Sequence, residues 1–491
     1  MSDSKTIYQQ ILKSTALFGG VQVFNIIVSI VRSKAIAIFI GPSGMGIAGL
    51  LTSTINVLYS ATSFGLDTSG VKYIAQANSS SDKKEVSKIV SVLKQLMWYT
   101  GVLGSLLTMI FASSLSKFTF NSEEYTWSFV WIACTLLFKN IANSNYAALQ
   151  GLGRLKDLAK ANFYGSFLGL ILTLPFYYYM GKEAIVPAII SSSFIAMITA
   201  LFFSNKLNLA TAIISKRKLF SEGRGLIHLG VMLSMSGLMT TAAAYALQIY
   251  ISQHAGIEVV GYYVAAFTLL NSYVGIIFTS MSTDYYPRLS AVAHDEGNVR
   301  TLVTHQAYIA LLIITPLICL FIPFAPLIIK LLYSSKFITI SSMLTYGILG
   351  MLFRAVSWSM GFILIAKGDS KIFIKTSFFF NALFLGMNIL AFHFWGLDGL
   401  GISFALYYLL HLIILKVITL KIYNFYFDKD FYKIFISSSI LCLSVLIVNH
   451  FEVTLLSIFV LIILGITSIL FSIFHLNKKV DFIKVFKKLK K

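Results

Sequence analysis

Leu137-Phe138-Lys139 and Leu352-Phe353-Arg354 are one phrase written twice, 215 residues apart, each copy ending an apolar run on a cation. At the same offset Leu149 falls on Leu364, Gly153 on Gly368, Lys156 on Lys371 and Lys160 on Lys375. Upstream, Gly41 and Gly46 fall on Gly256 and Gly261. Apolar stretches of roughly 20 residues surround these matches, long enough to cross a bilayer as helices. A duplicated membrane unit with a lone cation in each copy points to a path for an anionic species.

Composition sets the class. Of 491 residues, 57% are hydrophobic and 12% charged, where a soluble domain carries about 25% charged residues. No polar segment exceeds about two dozen residues, which leaves no room for a soluble domain. The expected fold is an all-α integral membrane protein with spans near 15–40, 44–66, 90–112, 126–148, 161–180, 184–204, 226–251, 259–282, 302–326, 341–366, 372–394, 398–420, 433–449 and 454–476. No small-residue cleavage signal follows the first of these, so the N-terminus is expected to be retained. Cys134, Cys319 and Cys442 lie in separate apolar runs without a CxxC pair, a pattern of buried free thiols more than of a disulfide or metal site.

The net charge of +20 would suit nucleic acid, but its placement argues for cytoplasmic loops facing anionic lipid. With the N-terminus inside, 31 of the 39 Lys and Arg fall on the inner side, in connections, termini or the inner ends of spans, 6 fall on the outer side in connections or the outer end of the first span, and the remaining 2 are Lys139 and Arg354. Both termini are therefore expected to be cytoplasmic. Six spans per repeat return the chain to its starting side, which relates the two units by an axis along the membrane normal and favours a site between them near the midplane. The expected organisation is an N-terminal lobe over 1–205, a linker over 206–225 carrying Lys216-Arg217-Lys218, a C-terminal lobe over 226–421, two further spans over 422–476 and a basic tail over 477–491. In that tail Val480, Ile483, Phe486 and Leu489 recur among seven lysines; it reads as an amphipathic helix on an anionic inner leaflet, or as a solvated lysine tail.

A cation at the centre of a span costs at least ~2.5–3.5 kcal/mol, so its neighbours matter. Lys139, Asn143, Tyr146 and Gln150 share one helical face within about 60°. Arg354, Ser357, Trp358 and Gly361 form a similar face, and Gln22, Asn25, Ser29 and Arg32 another within about 80°. Such polar and aromatic stripes suit sugar hydroxyls and phosphate oxygens; the alternative for each central cation is a hydrogen bond to a backbone carbonyl or a loop acid. Lys34 points away from Arg32 and is expected to snorkel. None of the nineteen acids falls at a span centre. Asp67, Asp284, Asp369 and Asp398 sit at span ends, so the interior is cationic, which disfavours a drug-cation exporter built on a buried carboxylate. Asp67 with Lys72 and Asp284 with Arg288 are candidate inner gates or plain interfacial pairs. No metal-binding HExxH, phosphate loop, nucleophile elbow or suitable carboxylate pair occurs, so no catalytic residue, metal or cofactor is assigned. Residues 41–46, Gly-rich as they are, lack a strand-loop-helix setting and read as a turn, with Gly46 allowing close packing.

An N-terminal span with Arg32, followed by Ile40-Gly41-Pro42-Ser43-Gly44-Met45-Gly46 and Ser69-Gly70-Val71-Lys72-Tyr73-Ile74-Ala75-Gln76, resembles the Wzx-type lipid-linked oligosaccharide flippases. Gln150-Gly151-Leu152-Gly153-Arg154 and Tyr286-Pro287-Arg288-Leu289 fit the same family. It belongs to the MOP superfamily, with the lipid II flippases and the MATE exporters. The resemblance implies two six-helix lobes forming a V around a cationic cavity, alternating access, and an undecaprenyl-diphosphate-linked glycan as cargo in a bacterial cytoplasmic membrane. Arg32 matches a cavity arginine shared with the lipid II branch; Lys139 and Arg354 rest on helical geometry. Expected partners are that lipid-linked oligosaccharide, anionic lipids, a coupling proton or sodium ion and other glycan-assembly proteins, with no nucleic acid. A MATE-like multidrug or metabolite exporter is the alternative.

Overall fold

Glycine sets the corners of this chain, and it does so in repeat. Gly41 (φ 82°), Gly153 (φ 69°) and Gly181 (φ 57°) turn the backbone in the left-handed region, and Gly256 (φ 88°), Gly368 (φ 76°) and Gly396 (φ 57°) do the same 215 residues later. Side-chain-bearing residues enter that region only at a cost of about 1–2 kcal/mol. The third pair, Gly181 and Gly396, extends the repeat to the connection between the fifth and sixth spans of each copy.

The computed structural model describes residues 2–79, 82–207, 209, 216–451 and 454–480. Its helices are α1 (Ser2–Phe39), α2 (Gly41–Thr62), α3 (Leu66–Ser79), α4 (Lys83–Ile110), α5 (Ala112–Phe120), α6 (Thr126–Gly151), α7 (Leu155–Met180), α8 (Ile185–Asn205), α9 (Lys216–Ala255), α10 (Ile257–Thr268), α11 (Ile276–Ala291), α12 (Glu296–Leu332), α13 (Ser341–Ala366), α14 (Ser370–Tyr423), α15 (Lys429–His450) and α16 (Leu455–Val480). A π-helical turn, Leu269–Val274, joins α10 to α11. There is no strand among the described residues. Every expected span falls on helical backbone: the eighth runs over α10, the π turn and α11, and the eleventh and twelfth run together as α14, broken at Gly396. Several helices run a few residues past the expected spans, and two differences go further. The second span ends at Thr62 instead of 66, and residues 66–79, most of them in the expected connection to the third span, form α3 because Leu66, Ile74 and Ala77 pack into a buried cluster with Leu93, Met97 and Leu226. Part of the expected linker is helical, since α9 begins at Lys216. The tail beyond Val480, and linker residues 208 and 210–215, lie outside the described residues.

Nine helical stretches among the described residues are long and apolar enough to cross a membrane, some holding two spans each. Neither α2 nor α6 is among them. Their deficit has a chemical cause: Thr54, Asn56, Tyr59, Lys139, Asn143 and Asn145 occupy positions where a lipid-facing helix would carry aliphatic side chains.

The chain packs as two compact units, Met1–Val264 and Ala265–Lys491. The first contains α9, which by repeat starts the second copy. It lies on α2, α3, α4 and α5, tied by Lys88 to Glu222 at 2.5 Å, by the Thr54 and Tyr245 hydroxyls at 2.8 Å, and by Gln253 donating to the Phe118 carbonyl at 2.8 Å. The packing boundary and the repeat boundary therefore differ. Within this unit α2 and α10 cross reciprocally. A Cβ on Gly46 would overlap the Ile257 carbonyl, and one on Gly261 the Pro42 carbonyl. Pro42 and Ile257, like Gly46 and Gly261, are repeat equivalents, so the crossing is locally two-fold. Gly46→Val should lower the thermal unfolding midpoint in detergent, because backbone cannot withdraw as a side chain can and overpacking costs about 1–3 kcal/mol. An unchanged midpoint would contradict this crossing.

In the second unit α15 and α16, the spans outside the repeat, pack on α12. Cys319 and Cys442 meet there as buried free thiols with sulfurs 4.0 Å apart, while Cys134 is only half-buried.

Candidate functional site

Lys139 lies mid-helix on α6. Its Nζ donates to Asn56 Oδ1 on α2 at 2.8 Å and sits 4.4 Å from the centroid of the Tyr59 ring. One turn on, Asn143 donates to the Tyr59 hydroxyl at 2.6 Å, and Tyr59 donates to Asp67 Oδ2 at 2.9 Å. Asp67 reaches back because the chain breaks between α2 and α3, where Phe64 (φ 50°) and Gly65 (φ 61°) are left-handed. Gly65 is required there, since its Cβ would overlap the Gly230 carbonyl of α9. Lys139 thus has a neutral amide as its acceptor, with one acid approaching through a phenol, and no described ion pair includes it.

The second unit repeats this arrangement. Arg354 Nη1 on α13 donates to Asn271 Oδ1 at 2.7 Å, with its guanidinium carbon 5.3 Å from the ring centroids of both Phe278 and Tyr408. Trp358, one turn on, packs against Phe278, Tyr285 and Phe362 at 5.4–5.7 Å between centroids. Asn56 and Asn271 are themselves 215 residues apart, so each repeat holds its cation with the same amide from its own second span.

The two copies differ in how the asparagine is presented. Asn56 sits in regular helix, whereas Asn271 sits in the π turn, a wider coil common at functional sites. Its amide nitrogen donates to the Phe267 carbonyl at 3.3 Å, which leaves Oδ1 for Arg354. A π turn accommodates one extra residue, and the repeat drifts locally beside it. Just after the turn Lys72 and Arg288 are 216 apart and Asp67 and Asp284 217 apart, while further on Lys139 and Arg354 are again 215 apart.

The remaining candidates fall elsewhere. Arg32, partly buried, directs Nη2 to within 3.7 Å of the Cβ position of Gly169 on α7, and its Nε, like Asn25 Oδ1, has no hydrogen-bond partner among the described residues. Gln22 and Gln150 are exposed, and Tyr146 donates to the Ala196 carbonyl of α8 at 3.3 Å. Of the candidate gates, Asp67 pairs with Tyr59 instead of the exposed Lys72. Asp284 and Arg288 form an ion pair at 2.7 Å within one helix, both about two-thirds exposed. Sequence reasoning placed both central cations and missed Asn56, Asn271 and Tyr59. The repeat offset, applied to asparagines in the second and eighth spans, would have found the first two. No group of three or more His, Cys, Asp or Glu converges as a metal site among the described residues.

This is a fold seen in solved multi-pass membrane transporters. It matches the inward closed conformation of the lipid II flippase MurJ with a TM-score of 0.71 at 15% identity, covering 94% of this chain and 99% of that one. It matches the inward-facing conformation of a multidrug resistance MATE family transporter with a TM-score of 0.69 at 15% identity, covering 86% and 95%. The chain belongs to the polysaccharide biosynthesis protein family, whose model matches residues 35–342. The lipid III flippase of Escherichia coli (strain K12) is 21% identical over 351 residues, 70% of this chain and 82% of that relative. Residues 40–46 and 286–289, which carried the family resemblance, lie within the matched stretch, and that resemblance is borne out.

Proposed function

We propose that the protein is a flippase carrying an undecaprenyl-diphosphate-linked oligosaccharide, an O-antigen-like repeat unit, from the inner to the outer leaflet of a bacterial cytoplasmic membrane. One observation carries the reading: each repeat holds a cation within its span by a neutral amide, leaving its charge uncompensated by any direct ion pair. A phosphate oxygen is a stronger acceptor than an amide and would take its place as a charge-assisted partner. Lys139, Arg354 and Arg32 are the cations offered to the diphosphate, the lipid tail stays in the bilayer, and access alternates between the two faces of the membrane. The aromatic side chains beside the cations, Tyr59, Trp358 and Tyr408, suit sugar rings.

In this reading both termini are cytoplasmic, which the lysine and arginine bias supports. A diphosphate diester carries about −2 charge, and each charge crossing 100 mV is worth ~2.3 kcal/mol, so an inside-negative potential favours export by up to about 4–5 kcal/mol. A proton or sodium ion adds to this in a coupled cycle. Rescue of glycan display in a flippase-null strain, without efflux of cationic dyes, is the expected result. Dye efflux without rescue would establish the exporter reading instead.

A further inference from the structure

We infer that the outer seam of α7 and α8 is a binding site for one anionic phospholipid of the inner leaflet. Two adjoining cavities of about 480 and 570 Å³ run along this seam and share Leu168, Ile198 and Thr199. On α7 the lining residues Lys160, Tyr164, Leu168, Ile171 and Pro175 recur every three or four positions, and on α8 and its C-cap Ile195, Ile198, Phe202 and Lys206 do the same. Each set is one helical stripe, so the two together make a continuous groove. From Lys160 to Pro175 it runs ~22 Å, which spans a headgroup and one leaflet of a hydrocarbon core about 30 Å thick.

The groove is chemically polar at one end only. Lys160 and Lys206 stand at that end, both exposed and neither in a described ion pair. Lys206 Nζ bends over Phe202 and Phe203, 4.5 and 4.8 Å from their centroids, which holds the ammonium at the groove mouth. Tyr164 stacks on Phe203 with centroids 6.0 Å apart and floors the same end. Beyond Leu168 the lining is aliphatic, apart from Phe176 and from Thr199, whose hydroxyl is satisfied by the Ile195 carbonyl at 3.0 Å. Two cations at the mouth of an apolar slot complement a phosphate headgroup with an acyl chain below it. The face opposite, with Gly169, Thr173 and Tyr177, is buried, so α7 keeps the Arg32 contact and the groove apart. The site stands whether or not the flippase reading does.

Native mass spectrometry of the full chain, titrated with dioleoylphosphatidylglycerol or dioleoylphosphatidylcholine, tests this. One tightly retained phosphatidylglycerol is expected, and the two lysines should make it about thirtyfold preferred over phosphatidylcholine. Lys160→Gln/Lys206→Gln should erase that preference, while the charge-matched Lys83→Gln/Lys84→Gln leaves it intact. Leu168→Trp should fill the slot and lower retention of both lipids. Equal losses in the two double variants would reduce the effect to general basicity and overturn the site. So would displacement of the lipid by inorganic phosphate, or an unchanged preference in Lys160→Gln/Lys206→Gln.

Discussion

Lys139→Gln and Arg354→Gln should each abolish rescue of a flippase-null strain while leaving the protein in the membrane at its normal level. The expectation follows from the difference between what each cation holds at rest and what it would hold with cargo. At rest the partner is a neutral amide, 2.8 Å away for Lys139 and 2.7 Å for Arg354. Glutamine keeps a hydrogen-bonding head and removes the charge, so folding loses little. A charged hydrogen bond to phosphate is worth about 1.5–3 kcal/mol, and its loss lowers affinity about 10–150-fold. Lys139→Arg should retain most activity, which separates loss of charge from loss of fold. Arg32→Gln tests the third contact on its own, since Arg32 abuts α7 apart from the Lys139 cluster.

Asn56→Asp and Asn271→Asp carry the second large effect. The replacement is nearly isosteric and places a carboxylate against Lys139 or Arg354. The internal acid would then occupy the cation that the cargo needs, and affinity for an anion should fall about 10–150-fold. Folding should be maintained, because the new pair is hydrogen-bonded in the same geometry. Asn56→Ala runs the other way: Lys139 loses its acceptor, the melting midpoint falls, and the charge stays available. Transport should therefore rank alanine above aspartate, and stability aspartate above alanine. If the asparagines served structure alone, aspartate would be the better tolerated in both assays.

Much of this was legible in the sequence because glycine and charge leave marks. Gly41 and Gly256, Gly153 and Gly368 stand out as repeats by identity, and their left-handed backbones explain why identity was kept. Lys139 and Arg354 stand out because cations are rare at span centres. Asn56 and Asn271 escaped because an asparagine among Thr, Ser and Tyr draws no notice until its partner is known. The π turn escaped because no residue type encodes it. The helix α3 escaped because its apolar face is narrow, and what orders it is packing on α4, α6 and α9. The pairing of Asp67 with Tyr59 instead of Lys72 depends on the break at Phe64 and Gly65, which is read only from backbone angles.

The most direct measurement places the purified chain in vesicles with an undecaprenyl-diphosphate-linked oligosaccharide and follows the transfer of that lipid between leaflets. The wild type should accelerate transfer, an inside-negative potential should speed movement outward, and Lys139→Gln/Arg354→Gln should fall to the rate of protein-free vesicles. Transfer by the double variant at the wild-type rate would contradict the account, as would a wild type that moves the lipid no faster than empty vesicles.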